Sequence, residues 1–342
     1  MLERKKDELL IEERIRTIIE EYGADPSSFE GELVKQIMET GLRLLDEGHD
    51  IGQLKMINRS MKEMRYAYRI FNEYKEGPCI SIFGSARTPT DHPDYIAARE
   101  FSASIARHGW MCITGAADGI MKASMEGPDK GRSFGLSIRL PFEPDSNTVI
   151  EGDPKLIVFR YFFTRKLMFM SHASALAAFP GGFGTLDETF EMLTLMQTGK
   201  ANIIPIVLIE GVGGAYWQRW AYYITENLLE NHLISPHDER FFYIAPSVDS
   251  AVEHVLKFYS RYHSSRYVKE LLVIRMLTPL SNEQIKILNQ KYRSIIASGV
   301  ITATPPLPGE NDHLDLPRIF FHHTRRDFAK LRMLIDDIND FK

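Results

Sequence analysis

Apolar residues change their spacing twice along this chain. Between positions 3 and 74 they recur three or four apart, as in Val34, Met38, Leu42 and Leu45, then Ile57, Met61, Met64, Tyr68 and Phe71. That period is helical and no two-residue alternation interrupts it. Residues 1–76 are therefore expected to form a helical N-terminal region, packed on the main domain or on a second subunit. From position 79 short continuous apolar runs take over, at 79–83, 110–114, 134–140, 175–179, 203–209 and 242–245. Most are followed by a turn containing Gly or Pro and then by a helical stretch. Unbroken apolar runs suit strands covered on both faces, and strands alternating with helices predict a doubly wound parallel α/β sheet over residues 77–263. Ligands of such sheets bind beyond the carboxyl ends of the strands, where the glycine-rich loops lie.

The last zone, 264–342, reads as a small α+β appendage. Residues 268–276 predict a strand. A helix follows, with Ser281 as N-cap, Gln284 completing a capping box, an apolar face of Ile285, Leu288, Tyr292 and Ile296, and Gly299 beyond its end. A loop at 304–316, a strand at 318–322 and a helix at 327–338 complete it. His322 and His323 read as strand histidines, because no second cluster of ligands accompanies them.

Composition narrows the classes. Hydrophobic residues at 44% and charged residues at 25% are ordinary for a globular protein. A net charge of -5 and a pI near 6.1 argue against binding nucleic acid through broad electrostatics. Cys79 and Cys112 both sit in apolar runs and read as core residues, and no metal-binding motif is present, so no metal site is expected. The charged N-terminus lacks the apolar centre of a signal peptide, and no run of about 18 apolar residues suggests a membrane span. A cytoplasmic protein without membrane contact is the expectation.

The chemistry concentrates at 179–191, FPGGFGTLDETFE. Gly181, Gly182 and Gly184 permit close backbone approach to a ligand, and the helix that follows offers free N–H groups and a positive dipole end to a phosphate. Neither a Walker A loop nor GxGxxG spacing is present. Thr185-x-x-Glu188 has a second reading as a capping box in which the glutamate ties off the helix start. Glu191, one turn on, equally fits dipole compensation. Arg165 and Lys166 lie in FFTRKLMFM, whose spacing predicts an amphipathic helix on which an exposed basic pair is the ordinary alternative.

PGGFGTLDE resembles PGGxGTxxE, the signature of the LONELY GUY phosphoribohydrolases. Three further segments agree in order: 81–87 (SIFGSAR) with the first strand and loop, 114–121 (TGAADGIM) with the second glycine loop, and Arg165-Lys166 ahead of the PGG strand. Tyr95, Ala98 and Gln197 also fall where expected, and the resemblance spans roughly 77–260. It implies a Rossmann-like fold and hydrolysis of the N-glycosidic bond of a nucleoside 5′-monophosphate to free base and ribose 5-phosphate, without a cofactor. By the resemblance Arg165 and Glu188 are catalytic. Gly84, Ser85, Arg87, Gly115, Gly119, Glu143, Lys166, Gly181, Gly182, Phe183, Gly184, Thr185, Asp187, Glu191 and Thr194 are the candidate substrate contacts. Arg87 reads equally as a surface residue. A homodimer or higher homo-oligomer is implied, with no nucleic-acid partner. Two departures stand out: Ala116-Ala117 replace part of the usual glycine run, and Phe162-Phe163-Thr164 replace the residues that usually precede the Arg-Lys pair. The alternative to an enzyme is a non-catalytic nucleotide or cofactor sensor or carrier on the same fold.

Overall fold

The computed structural model describes residues 2–141 and 146–341. The helical period of the N-terminal zone becomes α1 (Leu2–Glu21), α2 (Phe29–Arg43) and α3 (Ile51–Tyr74). Ser28 caps α2 by accepting from Gly31 N–H, and Lys35 joins α2 to α1 through Glu12 at 2.8 Å while also holding Glu32 at 2.9 Å. Residues 1–65 form one compact unit and residues 66–342 another, α3 contributing to both.

The second unit is built on strand β1 (Cys79–Phe83), helix α4 (Pro93–Arg107), β2 (Met111–Thr114), α5 (Ile120–Glu126), β3 (Ser133–Ile138), β4 (Leu156–Phe159), α6 (Phe162–His172), β5 (Ala173–Ala178), α7 (Phe183–Gln197), β6 (Ile206–Leu208), α8 (Tyr216–Tyr223), β7 (Phe242–Ile244) and α9 (Val248–Phe258). The seven strands pair in the order β4-β3-β2-β1-β5-β6-β7, every pair parallel. This is the Rossmann-like sheet expected, with one strand more than the sequence suggested. The additional strand is β4, an edge strand of four apolar residues (LIVF) whose run was not counted among the expected strands. Alternation along β1 sorts the helices onto two faces. Ile80 and Ile82 join the core with Phe101 and Ile105 of α4 and Val252 and Val255 of α9. Ser81, pointing the other way, donates its hydroxyl to the Phe169 carbonyl of α6 at 3.0 Å. On that side Phe71, near the end of α3, stacks on Phe134 and His172.

A second sheet follows, made of β8 (Tyr262–Val268), β9 (Leu271–Met276), β10 (Ile296–Thr304) and β11 (Arg318–His323), with helices α10 (Asn282–Lys291) and α11 (Phe328–Asp340). Its order is β10-β11-β9-β8, antiparallel throughout. Three expectations are corrected here. The single strand at 268–276 is a hairpin, turned at Lys269, which takes the left-handed conformation (φ 53°). The helix begins on the Ser281–Gln284 capping box as read, but ends at Lys291. The run IASGVITAT, rich in β-branched residues, forms β10 instead of helix end and loop. Gly299 (φ +70°) is then not a helix terminator; it lies where the β10–β11 register shifts. His323 is buried with Nδ1 against the Tyr267 hydroxyl, and His322 meets Ser298. Cys79 and Cys112 are buried free thiols. Among the described residues no helix is long and apolar enough to cross a membrane.

Candidate active site

The strand order turns at the β1–β5 pair, since β2 to β4 extend to one side of β1 and β6 to β7 to the other side of β5. Loops leaving such neighbours diverge and open a crevice beyond the sheet. Here three loops close its floor. Ser85 N–H donates to the Pro180 carbonyl at 3.1 Å, and the Ser85 carbonyl accepts from Ile120 N–H at 3.0 Å. Gly119 is needed at this junction: its φ is +61°, and a side chain there would run into the backbone of Ser85 and Ala86. Gly84 packs on Ile120, and Gly181 on Thr185.

After Gly182 the chain enters α7 with no side-chain cap and no acidic residue in the first turn. Leu186 is the first N–H to reach back, to the Gly182 carbonyl at 3.2 Å. The N–H groups of Phe183, Gly184 and Thr185 precede it and have no intrahelical acceptor, which makes this end an anion-binding geometry. Gly182, Phe183 and Gly184 are exposed, Phe183 at 93%, while Thr185 is buried. Tyr216 of α8 donates its hydroxyl to the Gly181 carbonyl at 2.8 Å and so fixes that peptide from behind.

The capping-box reading of Glu188 does not hold. Gly182 is the cap and Thr185 the third helical residue, so Glu188 sits on the second turn. Its side chain is 13% exposed and looks toward α6, with Oε2 3.9 Å from Lys166 Nζ. That oxygen is buried and accepts no hydrogen bond among the described residues. Burial raises the carboxyl pKa to about 7, against the opposing pull of Lys166 and Arg165.

Arg165 and Lys166 are not an exposed basic pair either. Arg165 donates through Nε to the Leu136 carbonyl at 2.7 Å and through a terminal nitrogen to the Gly115 carbonyl at 3.2 Å, and it lies over the Phe169 ring. Burial lowers its pKa to about 10, with Glu188 acting in the opposite sense. Lys166 reaches Asp187 at 2.6 Å and Glu191 at 3.0 Å. Burial opposes its charge, but the hydrogen bonds to Asp187 and Glu191 hold its pKa above the usual value.

Gly115 and Gly119 thus hold the second loop in place beneath Arg165 and Ser85. The two alanines between them are accommodated: Ala116 is buried at φ 65°, and Asn147 Nδ2 donates to the carbonyls of Ala116 at 3.1 Å and Ala117 at 2.9 Å. Arg87 is exposed; its N–H donates to Ser85 Oγ, and it lines an open cleft of about 330 Å³ with His92, Asp94 and Gly181. Thr194 stands apart, exposed two turns beyond Asp187 beside a small pocket with Trp220 and Asp238. Gln197 binds Asp238 there at 2.6 Å. Glu143 lies outside the described residues. Sequence reasoning missed Tyr216 and Asn147, which no local motif marks.

Residues 116–255 match the family model described as "Possible lysine decarboxylase", the label also attached to LONELY GUY proteins. The resemblance read from the motifs is thereby shown over this part of the chain. Among solved structures, the molybdenum cofactor binding protein from the phototrophic bacterium Rippkaea orientalis is 21% identical over 52% of this chain and 95% of that one, with a TM-score of 0.36. The molybdenum cofactor carrier protein from Chlamydomonas reinhardtii is 20% identical over 53% and 96%, with a TM-score of 0.36. DNA processing protein A from Helicobacter pylori is 12% identical over 55% and 83%, with a TM-score of 0.38. No curated protein matches the chain.

Proposed function

We propose that the protein hydrolyses the N-glycosidic bond of a nucleoside 5′-monophosphate, releasing the free base and ribose 5-phosphate. The observation that carries this is the placement of Glu188, a largely buried carboxylate with one oxygen accepting no hydrogen bond among the described residues, on the turn after an uncapped helix N-terminus. From Gly184 to Glu188 the helix rises about 6 Å. A phosphate on the first-turn N–H groups then places the sugar alongside the carboxylate.

Bond cleavage passes through a sugar cation of oxocarbenium character, which negative charge next to the ribose stabilises. Ionised Glu188 supplies that charge, accepts from the ribose hydroxyls, and takes a proton from the attacking water. Arg165 uses two of its five N–H groups on Leu136 and Gly115, which leaves three for the substrate and keeps a positive charge beside Glu188. Lys166, spread over Asp187, Glu188 and Glu191, holds the carboxylates on the α7 face in register. The decarboxylase description suits this site less well. A Schiff-base lysine is activated by a depressed pKa, and Lys166 is held in the opposite direction.

A homodimer is part of the same proposal. Phe162, Phe163 and Phe183 are 60%, 54% and 93% exposed on the first turns of α6 and α7, and a second copy covering them would shield the crevice from water. Sedimentation of the full chain tests this. A panel of AMP, GMP, IMP, CMP and UMP, followed by chromatography of free base, tests the activity. Release from at least one nucleotide is expected. Tight binding of a nucleotide without release from any would replace the enzyme with a sensor or carrier.

A further inference from the structure

A cavity of about 610 Å³ lies on the far side of α6 and α7 from the glycine loops, between these helices and the antiparallel sheet. One wall is Leu167, Met192 and Leu195; the facing wall is Leu272, Phe328 and Leu331. The cavity is partly open to solvent, and its volume falls within the roughly 300–1,000 Å³ of ligand pockets, which are mostly apolar with a few placed polar groups. The polar groups here are distinctive in sign. Lys200 and Arg266 line the cavity and no carboxylate does, in a chain whose net charge is -5. Arg266 shares its charge with Asp312 at 3.0 Å, while Lys200 makes no ion pair among the described residues. Exposed Asn202 and Ser171 add an amide and a hydroxyl at the lining. The Lys200 side of the opening is shaped by Gly199, which adopts φ +68° and lies so close to the Phe328 ring that a side chain would overlap it.

We infer that this cavity is a binding site for a small amphipathic anion, with its apolar body between α6, α7 and α11 and its carboxylate, sulfonate or phosphate head on Lys200 and Arg266. Each of the two helices carries site residues immediately before its cavity residue: Lys166 precedes Leu167, and Glu191 precedes Met192. A molecule bound there wedges the helices that hold the Arg165–Glu188 pair.

The test is titration of the full chain with 8-anilinonaphthalene-1-sulfonate, read by fluorescence. Saturable binding is expected, weakened about tenfold by Lys200→Glu, which replaces an attracting charge at the opening with a repelling one, and restored by Lys200→Arg. Leu195→Trp, which fills the cavity, should remove it, with thermal melting used to check the fold; the exposed Lys200 variants decide the matter if that protein does not fold. Equal binding by wild type and Lys200→Glu, or no saturable binding by wild type, overturns the inference. The readout is independent of nucleotide hydrolysis, so failure of the proposed activity leaves this result standing.

Discussion

Arg165 occupies the space that any side chain at Gly115 would need, and its guanidinium donates to that residue's own carbonyl at 3.2 Å. The second glycine loop and the arginine proposed to act in catalysis are therefore one device. Gly115→Ala should push the guanidinium aside while leaving the fold in place, since the obstacles, the Arg165 guanidinium and Met121 Sδ, are the ends of flexible side chains. A misplacement of about 1 Å is expected to cost about 100-fold in rate. Initial rates beside a thermal melt check it: an unchanged rate would separate Gly115 from the arginine's function.

The second prediction concerns pH. The proposed hydrolysis requires Glu188 ionised, and its pKa is raised to about 7, so kcat/KM should fall as pH drops below that value. Lys166 and Arg165 both pull this pKa down. Removing the charge in Lys166→Met should therefore move the acid limb to higher pH. A pH–rate profile with the limb unmoved, or moved to lower pH, contradicts the assigned electrostatics.

Tyr216 tests the phosphate cradle. Tyr216→Phe removes the hydrogen bond to the Gly181 carbonyl and nothing else of its ring packing. One such bond is worth about 1 kcal/mol, so KM for the nucleotide should rise about fivefold with kcat little changed. An equal loss in kcat would place Tyr216 closer to the reacting bond than the geometry does.

A fourth prediction is structural. Glu310 is fully buried between Arg275 at 2.7 Å and Arg318 at 2.6 Å, and it ties the 304–316 loop to β9 and β11. Glu310→Ala leaves buried Arg318 with no carboxylate partner while Arg275 keeps Asp312 at 2.8 Å, a loss of about 3 kcal/mol. Thermal unfolding should shift clearly downward; a shift within experimental scatter would mean that the cluster relaxes into solvent.

Some of this was legible in the chain and some was not, for physical reasons. The parallel strands show in the sequence as short apolar runs, and the central β1 and β2 are buried along their whole length because both their faces are covered. β4 (LIVF) is an equally unbroken apolar run, legible in the chain but not counted among the expected strands. The α10–β10 boundary misled because Tyr292 and Ile296 continue a helical spacing that tertiary pairing with β11 overrides. At the site, Thr185-x-x-Glu188 fits a capping box by spacing alone; only the cap at Gly182 shows that Glu188 is one turn too far along. Arg165 could be named from its motif, but its anchors on Leu136 and Gly115 are main-chain carbonyls 29 and 50 residues away, which no spacing encodes. Tyr216 was hidden for the same reason.

The central claim is most directly tested by comparing wild type with Glu188→Gln on whichever nucleoside monophosphate the panel selects, measuring free base by chromatography and nucleotide affinity by calorimetry. Loss of base release by about a hundred- to a thousandfold, with affinity held within a few-fold, is the expected result. Full base release by Glu188→Gln would contradict it.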